Sequence, residues 1–310
     1  MNHSVSCVYG DTLFGKTTFL SSVLRWGLAQ NPQFKARLVT CENWDALAAW
    51  EAAGILEVWD LNNSKTPFDA LHQAVSGLWP ENPQDPNSKV KSAKFPVGAN
   101  FFEGMASIGD LLMGGFSEGG LAARGARKER IGPAEETINF QDGNSKVGGN
   151  PRTHYNIVQR WIHGSVIQSK SLSGVTIWTS HETVAKDERS QKLILGPEIV
   201  GTAATAGATR WFGNTIHALR VDHKEKVEGQ KESRVVSEYR LYLKPHFTEE
   251  IPLIPYKAAI RVPPEAQEMV DERVPDFIPN NKDAFATLMR IREDVDALTK
   301  KFIEELRSNS

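Results

Sequence analysis

A chain of 310 residues that is 40% hydrophobic and 24% charged is long enough to bury a sizeable core and too apolar to be disordered. One large domain with appendages is the simplest division. Its formal net charge of -2 excludes a protein that coats nucleic acid by bulk charge, so any such site must be local. Cys7 and Cys41, the two cysteines, sit in apolar runs without metal spacing and read as buried reduced thiols. No apolar run approaches the roughly 18 residues of a membrane span, and the N-terminus lacks a basic segment followed by an apolar one. A cytoplasmic location with no membrane partner is the expectation.

In chain order, residues 4 to 9 read as a short strand that stops at Gly10. From Thr17 to Gln30 the apolar residues Phe19, Leu20, Val23, Leu24 and Leu28 recur at helical spacing, with Asn31-Pro32 as the stop. Arg37 to Cys41 reads as a strand, Trp44 to Ala53 as a helix and Ile55 to Leu61 as a strand. This βαβ rhythm predicts a largely parallel sheet covered by helices. Residues 80 to 96 hold four prolines and read as a surface excursion, after which Ala99 to Glu103 is an apolar strand. Gly114 to Pro151, rich in Gly, Arg, Lys and Asn, reads as a long loop. A helix over Tyr155 to Ser169, a strand over Gly174 to Thr179, a loop over 183 to 210 and strands near 215–222, 234–244 and 257–262 complete a core of residues 1 to 262. Residues 263 to 282 read as a Pro-rich linker, and 283 to 310 as a terminal helix. Leu288, Ile291, Val295, Leu298 and Phe302 form its apolar stripe, which packs either on the chain's own core or on a second subunit.

Gly10-Asp11-Thr12-Leu13-Phe14-Gly15-Lys16-Thr17 matches G-x-x-x-x-G-K-[ST], and it lies between a predicted strand and a predicted helix as that pattern requires. Its glycines let successive N–H groups curl toward phosphate oxygens at the positive end of the helix. Residues 10 to 17 and Thr18 are therefore the expected nucleotide contacts, with Lys16 on the terminal phosphates and Thr17 on Mg²⁺. The alternative is a Gly-rich turn with an exposed lysine.

A P-loop also needs a carboxylate at a neighbouring strand end for the metal and another to orient water. Glu103 and Asp60 are the candidates for the metal, Glu103 preferred. Glu42, at the end of the strand after the P-loop helix, is the candidate general base or water-orienting group. His181, with Ser180, closes the strand over 174 to 179 and is a candidate γ-phosphate sensor. Each has a plain structural alternative: a solvated carboxylate, a first-turn acid, a satisfied polar residue.

With these motifs in this order, the chain resembles the RecA-like ATPases, in particular the compact phage-encoded RecA-like proteins that include single-strand annealing factors. The resemblance covers roughly residues 1 to 262, although Glu103 stands where the family usually has aspartate. It implies ATP and Mg²⁺ as ligands, a homo-oligomer assembled head to tail, and loops facing single-stranded DNA. The loop positions correspond to Gly114 to Pro151, with Arg124, Arg127, Lys128 and Arg130, and to residues 183 to 210, with Lys186, Arg189, Lys192 and Arg210. Trp211 or Phe212 would stack on bases. Lys257 and Arg261 would act in trans on a neighbour's nucleotide, and a phage-encoded chain would work in the host cytoplasm. Two other readings stay open: a motor or loader ATPase, in DNA packaging or helicase loading, acting on a protein partner, and a non-hydrolysing nucleotide-dependent assembly protein.

Overall fold

Short β-prone runs that alternate between two apolar faces form the centre of the fold, because each sheet face must be covered by the apolar stripe of a helix. The computed structural model describes residues 5–64, 66–92, 98–114, 127–130, 136–139, 146–149, 151–186, 193–200, 207–226, 233–244 and 272–308. The chain begins with β1 (Val5–Tyr9), α1 (Lys16–Gln30), β2 (Ala36–Thr40), α2 (Ala48–Ala52) and β3 (Leu56–Asp60). It continues through α3 (Pro67–Val75), β4 (Leu78–Pro80), β5 (Val90–Ser92), β6 (Ala99–Glu103) and α4 (Met105–Gly114). Three short strands follow, β7 (Arg127–Arg130), β8 (Glu136–Asn139) and β9 (Lys146–Gly149), then α5 (Pro151–Gln168) and β10 (Val175–Ser180). The remainder is β11 (Glu182–Lys186), β12 (Leu193–Pro197), β13 (Asn214–Lys226), β14 (Ser233–Tyr242), β15 (Phe277–Pro279) and α6 (Ala284–Ser308).

The main sheet runs β15-β14-β13-β1-β10-β6-β2-β3. From β13 to β3 every neighbouring pair is parallel, and β14 and β15 add two antiparallel pairings at one edge. This mixed α/β architecture, with a large mostly parallel sheet and a C-terminal helix, is the one expected from the βαβ rhythm. Alternate residues face opposite sides. Cys7, Tyr9, Phe102 and Trp178 join one core with Leu71, Ile108, Val158 and Ile162 of α3, α4 and α5. Val8, Phe101 and Ile177 join the other with Phe19, Leu20 and Leu24 of α1 and Phe285 and Val295 of α6. Cys7 and Cys41 are free thiols, and burial raises both, Cys41 to about 12.

Several local readings change. Residues 114–151 hold β7, β8 and β9, a three-stranded antiparallel sheet, where a long loop was expected. Residues 183–210 hold most of the β11–β12 hairpin. Trp44 to Ala53 is a 3₁₀ turn followed by the five-residue α2. The stretch expected as linker contributes β15, whose Ile278 pairs with Leu241 of β14. The strand expected at 257–262 lies outside the described residues.

The first half of α6 packs on its own chain. Phe285 is buried, with its ring edge-on to Phe19 at 5.8 Å and Trp26 at 5.1 Å, and its N–H donates to Ser22 Oγ at 3.2 Å. Phe285→Ala is expected to lower the unfolding free energy by about 3–5 kcal/mol, as truncating a buried phenylalanine does. Urea denaturation followed by tryptophan fluorescence measures it, and a loss below about 1 kcal/mol would mean that α6 is not docked in solution.

β13 is much longer than the strand beside it. Among the described residues only Asn214 to His217 pair with β1, β15 lies beyond β14 level with His217 to Leu219, and from Arg220 to Lys226 the strand runs on as a two-stranded ribbon with β14.

Candidate functional site

Parallel strands end together, so β1, β10, β6 and β2 deliver their last residues to one edge of the sheet. The turn from β1 into α1 starts with Gly10, whose N–H donates to Ser180 O of β10 at 3.3 Å. It is curled by left-handed backbone at Leu13 (φ 66°) and Gly15 (φ 86°). The N–H groups of Gly15, Lys16 and Thr17 open α1, where no intrahelical acceptor exists. They have no hydrogen-bond partner among the described residues. Asp11 Oδ1 accepts the Thr12 N–H at 2.6 Å.

Lys16 folds back over this turn. Its Nζ donates to Gly10 O at 2.8 Å and Asp11 O at 2.9 Å, and stands 3.5 Å from His181 Nδ1. Burial pulls its ammonium below the usual lysine range, opposed by Glu42, Asp11, Glu103 and Glu182. Thr17 Oγ1 donates to Glu103 Oε1 at 3.0 Å. Glu103 is 4% exposed, and its Oε2 is buried without a hydrogen-bond partner among the described residues. Burial is the largest cause that raises its carboxyl to about 7, with Glu42 adding and the Thr17 hydroxyl and Lys16 opposing.

Glu42 lies two residues beyond β2, with its N–H donating to Thr40 Oγ1 at 2.9 Å. Its Oε1 accepts the Ser107 hydroxyl and lies 3.6 Å from His181 Nε2. His181, with help from Ser107 and Lys16, holds the Glu42 carboxyl below its ordinary value against the effect of burial. Space for Glu42 depends on Gly104, which has φ 78° and where a Cβ would fall 2.3 Å from Glu42 Oε1. His181 thus bridges Lys16 and Glu42. Beside it, Glu182 Oε2 is 2.6 Å from Nε2 of the buried His217, which stacks on Tyr9 at 4.9 Å between ring centroids.

Of the expected site residues, Lys16, Thr17, Glu42, Glu103 and His181 come together. Asp60 does not: it ends the outermost strand β3, where its two oxygens accept from Asn62 N–H at 2.9 Å and Asn63 Nδ2 at 3.0 Å. Ser180 is fully buried, with its hydroxyl donating to Glu198 O at 2.7 Å, away from the turn. Phe212 is buried in the core and so has no face to offer a base, and Trp211 is partly buried with its ring stacked on His163 at 4.7 Å. Arg210 is exposed in the turn before β13. The backbones of Arg127, Lys128 and Arg130 lie in β7 and that of Lys186 in β11, while their side chains lie outside the description. Arg124, Arg189, Lys192, Lys257 and Arg261 lie outside the described residues. Gly104, Ser107, Glu182 and His217 were not singled out from sequence. Only Gly104 had a signal, as the glycine directly after an apolar strand end.

The donor set fits a hard cation beside a phosphate chain: a threonine hydroxyl, one carboxylate with an unused oxygen, and a row of free N–H groups. Among the described residues no group of three or more His, Cys, Asp or Glu could hold a metal alone, so a cation here would draw its other ligands from phosphate and water. The apo protein itself reports on Glu103. The folded protein retains this proton up to about pH 7, whereas a free carboxyl releases it near 4.5. The contribution of this group to folding stability therefore falls as pH climbs through that window, by roughly 3 kcal/mol in all, and is constant above it. Glu103→Gln, neutral throughout, is expected to melt higher than the parent at pH 8 and near it at pH 5. An equal difference at both values would rule out the buried carboxyl as the cause.

No protein-family model matches this chain, and no curated protein matches it. Among solved structures it is similar to a KaiC-like protein from the hyperthermophilic archaeon Pyrococcus horikoshii, at 11% identity over 83% of this chain and 90% of that one, with a TM-score of 0.35. The fold assignment accordingly rests on the strand order of this chain. Among the described residues no helix is long and apolar enough to cross a membrane.

Proposed function

We propose that this protein is a RecA-like P-loop ATPase that binds Mg-ATP at Gly10 to Thr18 and hydrolyses it. The observation that carries the reading is the hydrogen bond from Thr17 to Glu103, which leaves a buried, unused carboxylate oxygen beside unpaired N–H groups. That arrangement is costly for a protein with no ligand to place there.

The free N–H groups of Gly15, Lys16 and Thr17 receive phosphate oxygens, and the Lys16 ammonium leaves its carbonyl acceptors to neutralise the terminal phosphates. Thr17 and Glu103 would hold the Mg²⁺ shell, and the metal would supply charge neutralisation on the phosphate oxygens. Glu42, ionised at neutral pH, orients the attacking water. The water oxygen bonds to the γ-phosphorus as the bond to the bridging oxygen breaks, and the water's proton passes to Glu42 or solvent. His181 touches both Lys16 and Glu42, so it registers the presence or loss of the terminal phosphate at both.

A coupling of nucleotide state to single-stranded DNA is part of the proposal, in a homo-oligomer and in a recombination or replication role of the phage type. It is supported by the cationic strand β7 and by exposed Arg210, with Arg124, Lys186 and Arg189 as further phosphate contacts and Lys257 and Arg261 acting across a subunit interface. The test is phosphate release with and without single-stranded DNA over a salt series. Stimulation that declines steeply with salt supports the DNA role. Stimulation by a protein partner alone makes the chain a motor or loader ATPase, and nucleotide-dependent assembly without turnover makes it a non-hydrolysing assembly protein.

A further inference from the structure

The far end of the chain reaches the phosphate loop. After β15, Asn280 pins its own N–H to Tyr239 O at 2.8 Å and turns its side chain onto the start of α1. There Nδ2 donates to Gly15 O at 2.9 Å and approaches Phe14 O at 3.4 Å. Asn280 is 8% exposed, and its Oδ1 is buried without a hydrogen-bond partner among the described residues. The orientation of the amide is fixed by chemistry, since exchanging N and O would press an oxygen against two carbonyls. Contact this close needs a glycine opposite, because a Cβ at Gly15 would lie 2.5 Å from Nδ2.

A trans peptide carries its C=O and N–H on opposite sides. Drawing the Phe14 and Gly15 carbonyls toward Asn280 therefore turns the N–H groups of Gly15 and Lys16 the other way. These are two of the donors that have no partner among the described residues. The first turn of α1 shares this work at Gly15, whose carbonyl also accepts the Phe19 N–H at 3.0 Å, but the N-cap Gly15 brings no side-chain cap, and Asn280 adds a second donor there and reaches on to Phe14 O. The Asn280 backbone is held to β14 through Tyr239, and the turn that follows is closed at the start of α6, where Asn281 O accepts Ala284 N–H at 3.1 Å.

We propose that Asn280 is a positioning residue for the phosphate-binding amides, acting through the peptide planes 14–15 and 15–16. The inference rests on the ATP reading and adds that the C-terminal arm sets affinity for the phosphate chain and leaves the base alone. The test is calorimetry with pyrophosphate and with Mg-ATP on the parent, Asn280→Ala and Asn280→Asp, together with steady-state turnover. Asn280→Ala is expected to bind both ligands about tenfold more weakly, with KM for ATP raised in step and kcat within about threefold of the parent. Asn280→Asp keeps the shape but sets a carboxylate against two carbonyls and near the phosphates, so its loss is larger. It also keeps the test decisive if the alanine variant does not fold.

Unchanged pyrophosphate binding with weakened ATP binding would show a contact to the nucleoside and overturn the proposal. Unchanged binding of both overturns it as well, leaving the ATP reading intact. A parent that binds neither ligand defeats the ATP reading itself and this inference with it.

Discussion

Lys16→Ala is expected to cut ATP turnover at least about a hundredfold, the scale on which losing a transition-state charge contact acts. The ammonium is the only side-chain cation in the described part of the turn, and its present acceptors are two backbone carbonyls that phosphate oxygens would outbid. Affinity should fall less than turnover, since the free N–H groups of Gly15 and Thr17 remain. Phosphate-release kinetics and calorimetry with Mg-ADP separate the two effects. Turnover within about twofold of the parent would place the chemistry somewhere other than this loop.

The second large effect concerns Glu42. Glu42→Gln preserves shape and removes the charge that orients water, so turnover is expected to drop by about 10²–10⁴ while the affinity for Mg-ATP stays within about threefold. Gly104→Ala should imitate this from outside the ligand contacts. A methyl there would sit 2.3 Å from Glu42 Oε1, and the backbone at φ 78° suits glycine. It should therefore lower kcat about tenfold or more and cost about 1–2 kcal/mol of stability. Full activity in Gly104→Ala would mean that the position of Glu42 is irrelevant to turnover.

The parts of this site that could be read from sequence are those whose signal is local. A glycine-bracketed turn between strand and helix, and polar residues just past apolar strands, gave Lys16, Thr17, Glu42, Glu103 and His181, because parallel strands gather their ends at one edge. The choice between Glu103 and Asp60 needed strand order: β6 lies two places from β1 and β3 lies four. α3 had a signal that was overlooked, with Pro67 at its first position and Phe68, Leu71 and Val75 on one face. By contrast, β7, β8 and β9 are four residues each and rich in charge and glycine, so alternation has little length in which to show. Asn280 was beyond reach for another reason. Its contact with Gly15 spans 265 residues, and the surrounding prolines made the segment resemble a tether.

Among the described residues the outer flank of β13 has no strand beside it once β1 has ended, and an open flank of this kind is where another polypeptide could add itself to a sheet. Here that stretch displays Arg220, Asp222, His223, Lys224 and Glu225 at exposed positions. Bringing a like stretch alongside would strand these charges and their water. The charges on this stretch therefore disfavour continuation of the sheet through that flank.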